Sequence, residues 1–241
     1  MFVELVGPPG CGKTTTARLL DGLMERQGLR YVPFDELDRL DIAIGERHIK
    51  RSKFLRRMMS LAPLLWRHPS IMLGVLVIAA VHGPPYGTRF RYARRLLAHF
   101  LFLLRIRDLG RDRIVVVHGG FVQMMWSMVI ESPRLRALPL IRMVFRRYHD
   151  AIRPVGIELK IDHATAAERA FSRTTRGRFN KQSHPERRAQ FGKWLAYHET
   201  LRSLLPPAAI VTAIDAGSGS EAVASRVTTV LAAIAGRRAT V

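Results

Sequence analysis

The residues of this chain whose types and spacing carry a recognisable chemistry stand near its beginning: Gly7-Pro8-Pro9-Gly10-Cys11-Gly12-Lys13-Thr14, followed by Thr15. They satisfy G-x-x-x-x-G-K-[ST] at every fixed position, a pattern in which glycines let backbone N–H groups converge on phosphate oxygens. Lys13 is expected to reach the β- and γ-phosphates as a point charge. The Thr14 hydroxyl is expected to ligate Mg²⁺ together with phosphate oxygens and waters. Such a loop requires a strand before it and a helix after it, and both are legible. Phe2 to Val6 is a short apolar run ending in the Gly-Pro turn. Lys13 to Gln27 carries Ala17, Leu19, Leu20, Leu23 and Met24 at helical spacing, with Gly28 as its stop. Binding of a nucleoside triphosphate is therefore the leading expectation. Cys11 reads as a small residue that fits the loop, and its alkylation is expected to impair that binding.

The elements that position this loop follow along the chain. Arg30 to Phe34 is a candidate second strand, and five acids come after it: Asp35, Glu36, Asp38, Asp41 and Glu46. Residues 46–108 read as a helical insertion broken near Pro69 and at Gly83-Pro84-Pro85-Tyr86-Gly87. The β-branched run Ile114-Val115-Val116-Val117 is a buried-strand signal within Arg113 to His118. Helices are expected over Phe121 to Ile130 and Arg134 to Asp150, a strand over Gly156 to Asp162, and a helix over Ala164 to Phe171. A basic loop spans 173–181. A helix over His184 to Leu205, a strand over Ala209 to Ile214 and a helix over Glu221 to Ala235 complete the chain. Strands separated by helical stretches indicate an α/β fold: a parallel sheet of about five strands, helices on both faces, and the insertion between the second and third strands.

Length and composition bound the rest. The 241 residues suit one domain over 1–241. With 39 Lys and Arg against 19 Asp and Glu, the formal charge is +20, yet 48% of residues are hydrophobic, which excludes a disordered basic tail. One cysteine excludes an intramolecular disulfide framework and a multi-cysteine zinc cluster, and it is compatible with a reducing compartment. The first residues lack the basic region of a secretory signal and include Glu4, so Met1 reads as the start of the folded domain and the expected location is cytoplasmic. The positive charge is concentrated between Arg47 and Arg113, where fifteen Lys or Arg face only Asp108 and Asp112. Two readings of that stretch stand side by side. Its apolar runs, Ile71 to Val81 and Leu96 to Leu104, form core helices with solvated arginines, or they form an interfacial hairpin on anionic lipid at the inner face of the membrane. Neither run reaches the ~20 apolar residues of a spanning helix. Nothing suggests specific nucleic acid recognition, and the oligomeric state is not encoded in any motif.

The whole chain resembles the thymidylate kinase-like branch of the P-loop kinases, a three-layer P-loop NTPase fold. The resemblance rests on the phosphate loop, on Leu159-Lys160-Ile161-Asp162 leading through Ala166-Ala167-Glu168-Arg169 to Arg173-Thr174-Thr175-Arg176-Gly177-Arg178, and on Ile214-Asp215-Ala216-Gly217-Ser218. It implies ATP as the nucleotide and a lid in which Arg173, Arg176 and Arg178 neutralise the transferring phosphoryl group. It also implies that Ala216, Gly217 and Ser218 approach the adenine. Asp35 is the candidate base that orients an accepting hydroxyl, with Glu36 as alternate; the competing reading is that these acids cap a helix or pair with arginines. Asp162 is expected to cap the helix after it.

One part of the pattern departs. Thymidylate kinases carry an Asp-Arg pair after the third strand, whereas this chain has His118-Gly119-Gly120-Phe121-Val122-Gln123. It looks more like the kinase-like proteins associated with polysaccharide biosynthesis, whose Asp-Glu-Gly-x-x-Gln ending is matched at Gly120 and Gln123 but not at His118 and Gly119. Neutral His118 cannot supply a carboxylate's charge to Mg²⁺, and Glu131 and Asp162 are the substitutes to be considered. Two functions follow: an ATP-dependent kinase acting on a hydroxyl of a small molecule such as a sugar or glycan precursor, or a nucleotide-dependent binding or assembly protein without transfer.

Overall fold

A computed structural model describes residues 1–37, 66–82, 88–107, 112–130, 132–172 and 184–239. Among them, four strands form one all-parallel sheet: β1 (Phe2–Val6), β2 (Val115–Val117), β3 (Val155–Lys160) and β4 (Ile210–Asp215). The spatial order is β2-β1-β3-β4, with Phe2 opposite Val115 and Val3 opposite Val155. The helices are α1 (Lys13–Arg26), α2 (Pro69–His82), α3 (Thr88–Arg107), α4 (Phe121–Val129), α5 (Leu138–Ile152), α6 (His163–Phe171), α7 (His184–Ser203) and α8 (Ser220–Ala239).

Successive residues of a strand point to opposite faces, and β1 shows what each face requires. Val3 and Leu5 join Val116, Ile157 and Leu159 in a cluster with Ala17, Leu20 and Met24 of α1 and Val223, Val227 and Leu231 of α8. Phe2 and Val6 join Val115 and Val117 in a second cluster, covered by α2, α3, α4, α5 and α7. The described part of the insertion, α2 and α3, is thus continuous with the layer that covers the sheet. Among the described residues no helix is long and apolar enough to cross a membrane.

The fifth expected strand, Arg30 to Phe34, is reduced to a single parallel bridge between Tyr31 and Ile114. Ile114 N–H donates to Arg30 O at 2.7 Å and Val32 N–H to Ile114 O at 2.9 Å. Pro33 then ends the ladder, because it has no N–H to give. Its carbonyl instead accepts from Glu36 and Leu37, starting a helical turn over 34–37. The expected helix from Arg134 begins only at Leu138, where Pro139 suits the first turn and Ala137 adopts a left-handed conformation.

Candidate functional site

The loop between β1 and α1 is shaped by its glycines. Gly10 and Gly12 both have φ of 87°, a conformation costly for other residues. A Cβ at Gly10 would lie 2.2 Å from the Ala166 carbonyl oxygen of α6, and one at Gly7 would lie 2.7 Å from the Leu159 carbonyl oxygen. The loop is therefore pinned between the end of β3 and α6. Gly12 is the N-cap of α1 and offers no side-chain cap, and the first turn holds no acid. Such an end leaves N–H groups and the positive end of the helix dipole available to an anion. Lys13 folds back over the loop, its Nζ donating to Gly7 O at 2.7 Å and Pro8 O at 2.9 Å and lying 3.4 Å from Cys11 Sγ. Thr14 is half-buried and Thr15 exposed, while Cys11 is buried among Ala17 and Leu20. The arrangement fits a phosphate chain, since Gly12 has open space around it and Lys13 can exchange carbonyls for phosphate oxygens.

The terminal turn is tied to the same region. Arg169 of α6 donates to Ala216 O at 3.1 Å, and Ala216 N–H donates to Lys160 O at 2.6 Å. Asp215 closes the turn, accepting from Gly217 N at 2.9 Å, with Ser218 Oγ donating to its carbonyl at 3.1 Å. Ala216 is buried while Gly217 and Ser218 are exposed. Asp162 is the N-cap of α6, accepting from Thr165 N–H at 2.9 Å. That hydrogen bonding holds its carboxyl below the usual range, and the capping role expected of it is the one it has.

Asp35 lies exposed in the turn over 34–37, which follows the Tyr31 bridge at the β2 edge of the sheet, and His118 comes directly after β2. The rings of Phe34 and His118 are 5.0 Å apart, and the Arg18 guanidinium lies 5.4 Å from the Phe34 ring centre. Asp21 of α1 anchors the turn by accepting from Phe34 N–H at 2.9 Å; burial first, then the charge of Asp35, push its carboxyl up. The structure thus brings the Asp35 segment and the end of β2 together. Arg173, Arg176 and Arg178, in the lid-like loop 173–181, and Glu131 lie outside the described residues. Among the described residues no group of three or more His, Cys, Asp or Glu side chains could hold a metal.

Sequence reasoning missed three supporting groups. His198 of α7 hydrogen-bonds the Gly7 backbone; burial, then the charge of Lys13, push its imidazole down to about 3, so it is neutral behind the loop. Its signal was a histidine within the apolar stripe Phe191, Trp194, Leu195 and Leu201. Arg202, one turn on, makes a two-pronged pair with Glu158 of β3 at 2.8 Å on both arms. Together they wall a cleft of about 360 Å³ that reaches Pro8, Lys160 and His163. The third group is Glu4, the acid inside the first apolar run. It is buried, accepting from Tyr148 Oη at 2.8 Å and from Val122 N–H at 3.3 Å, and burial pushes its carboxyl up. A Cβ at Gly120 would lie 1.8 Å from Glu4 Oε1, which supplies a steric reason for glycine in the turn after His118.

No family model matches the chain, and no curated protein matches it.

Proposed function

We propose that the chain is a P-loop phosphotransferase that binds ATP in the Gly7–Thr15 loop and passes the γ-phosphoryl group to a hydroxyl of a small molecule, a sugar or glycan precursor being the favoured class. The observation that carries this reading is the uncapped N-terminus of α1 behind two left-handed glycines, with Lys13 held, among the described residues, by exchangeable neutral partners. The all-parallel sheet, with the Tyr31 bridge beyond β2 and helices on both faces, is compatible with a P-loop NTPase core and supports this reading. In this reading the backbone N–H groups and Lys13 hold the phosphates, and Ala216, Gly217 and Ser218 border the base. Thr14 would hold Mg²⁺, which neutralises phosphate charge when bound. The accepting oxygen bonds to the γ-phosphorus as the bond from the bridging oxygen breaks, ADP leaves, and the hydroxyl proton passes to Asp35. Arg173, Arg176 and Arg178 would offset the charge on the transferring group.

The second reading, a nucleotide-dependent binding protein without transfer, is favoured by one residue: His118, packed on Phe34, stands where an acid is expected. Transfer of γ-labelled phosphate from Mg-ATP into a fractionated metabolite mixture separates the two. A labelled organic product that disappears in Lys13→Ala supports the kinase. Demonstrated ATP binding with all label left in ATP supports the alternative, and full transfer by Lys13→Ala would sink the proposed site.

A further inference from the structure

Helix α2 is at odds with its surroundings. Its sequence, PSIMLGVLVIAAVH, is apolar around the whole circumference, the pattern of a helix covered on all sides. Only half of it is covered. Ile71, Val75 and Ile78 are fully buried in the helical layer, and α2 lies so close to α5 that a Cβ at Gly74 would be 2.4 Å from Val144 Cγ2. The opposite stripe, Leu73, Leu76, Val77 and Val81, is exposed, Leu73 by 65%. Trp66, in the helical turn just before α2, is 89% exposed. Single exposed apolar side chains are ordinary, but a helical stripe of them ending in a bare tryptophan marks an interaction surface.

The neighbours of this stripe are cationic. No Asp or Glu occurs between residues 66 and 107. Arg67 is exposed at the start of the stripe, and Arg136 at its end, where the Arg136 carbonyl lies 2.9 Å from His82 Nε2. The flanking helices add exposed Arg95 on α3 and exposed Arg142 and Arg146 on α5. A second copy of the chain fits such a face poorly, because a self-complementary contact would set these arginines against one another in a molecule of net charge +20.

We propose that this face docks on an anionic lipid bilayer, with α2 lying in the plane of the interface. A bilayer surface supplies a dense negative plane for the arginines and, just beneath it, apolar depth for Leu73, Leu76, Val77 and Val81. Tryptophan is suited to the headgroup level, with an apolar body and one N–H donor. The 14 residues of α2 span ~21 Å, short of the ~30 Å hydrocarbon core, so the helix lies on the membrane and does not cross it. An isolated interfacial helix needs a polar face toward water; here the rest of the protein occupies that side.

The test uses the full chain without nucleotide, so its outcome is independent of phosphoryl transfer. Vesicles of phosphatidylcholine with about a third phosphatidylserine are sedimented with the protein at about 0.1 M and about 0.5 M salt, beside vesicles of phosphatidylcholine alone. Binding is expected only to the anionic vesicles and to weaken at least about tenfold at the higher salt. Leu73→Glu with Val77→Glu is expected to weaken it by about tenfold or more with an unchanged circular dichroism spectrum, both side chains being exposed. The wild type gives a readout that needs no variant. Trp126 and Trp194 are buried, so a blue shift and quenching by brominated lipid report Trp66, and Trp66→Phe removes them. The proposal is overturned by no binding to anionic vesicles at low salt, by equal binding to neutral vesicles, or by undiminished binding of the double variant. Concentration-dependent dimerisation lost in the double variant, with no lipid binding, would assign the face to a second copy instead.

Discussion

The Gly7–Thr15 loop and the helical layer on α2 to α5 use the same chain in opposite ways. In the loop the backbone carries the structure: Gly10 and Gly12 adopt left-handed conformations, Gly10 touches α6 through main-chain atoms, and Lys13 rests on carbonyl oxygens. In the layer the side chains carry it: Ile71, Val75, Ile78, Phe100 and Phe145 are fully buried, Glu4 beneath them is held by Tyr148 and His82 by Ser132 and the Arg136 carbonyl, while the buried His99 Nε2 has no hydrogen-bond partner among the described residues. The difference teaches where function and stability are separable. A loop made of backbone can lose its ligand without losing the fold, whereas a layer made of packed side chains loses stability first.

The strongest way to break this contrast is Ile78→Ala. Deleting a fully buried aliphatic side chain is expected to lower the unfolding free energy by about 2–5 kcal/mol while leaving ATP affinity in the folded protein unchanged. Urea unfolding and calorimetric titration measure the two quantities, and a loss of affinity without loss of stability would reverse the assignment. Gly10→Ala should cost about 1–3 kcal/mol from the left-handed backbone alone, with further cost from the contact at Ala166, and it should abolish nucleotide binding. Unchanged binding by this variant would mean that the loop is not the site.

Lys13→Ala sharpens the contrast from the other side. Its partners among the described residues are two carbonyls and a thiol, so the urea midpoint should stay within error of the wild type. Loss of a charged hydrogen-bond donor to phosphate should weaken ATP binding by about 1.5–3 kcal/mol, read by titration calorimetry. A large fall in stability would show that Lys13 is structural.

The smallest effect at any one pH step concerns Glu4. Burial raises its folded carboxyl above the unfolded value, so the native state holds that proton more tightly. Its contribution to stability is complete below the ordinary glutamate value and is lost as pH rises through the raised one. Glu4→Gln removes the titration while keeping acceptor and shape. Its stability relative to wild type should rise with pH by at most about 1.4 kcal/mol per unit, measured by denaturation between about pH 5 and about pH 8. A difference independent of pH would place the proton elsewhere.

The loop's glycines and lysine were legible because they act locally: residue type, spacing and the flanking strand and helix are all within thirty positions. The same holds for Asp162, whose partner is three residues away, and for the alternation of β1. Other features were not legible for a physical reason. The second strand shrank to a bridge because Pro33 preferred to begin a turn, a competition between local signals that spacing alone does not decide. His198, Arg202 and Glu4 act on groups 44 to 191 residues distant in the chain, and no local pattern carries such pairings.

By itself the sequence determined a basic α/β chain with a loop that satisfies G-x-x-x-x-G-K-[ST] and a stretch free of acids between residues 66 and 107, because composition, periodicity and turn chemistry are properties of neighbouring residues. Only the tertiary structure decided that Glu4 lies beneath the turn after His118, that the terminal turn is tied to α6, and that α2 turns half of an apolar circumference outward. Those outcomes depend on which helix covers which face of the sheet, and that is settled by packing between segments far apart in the chain.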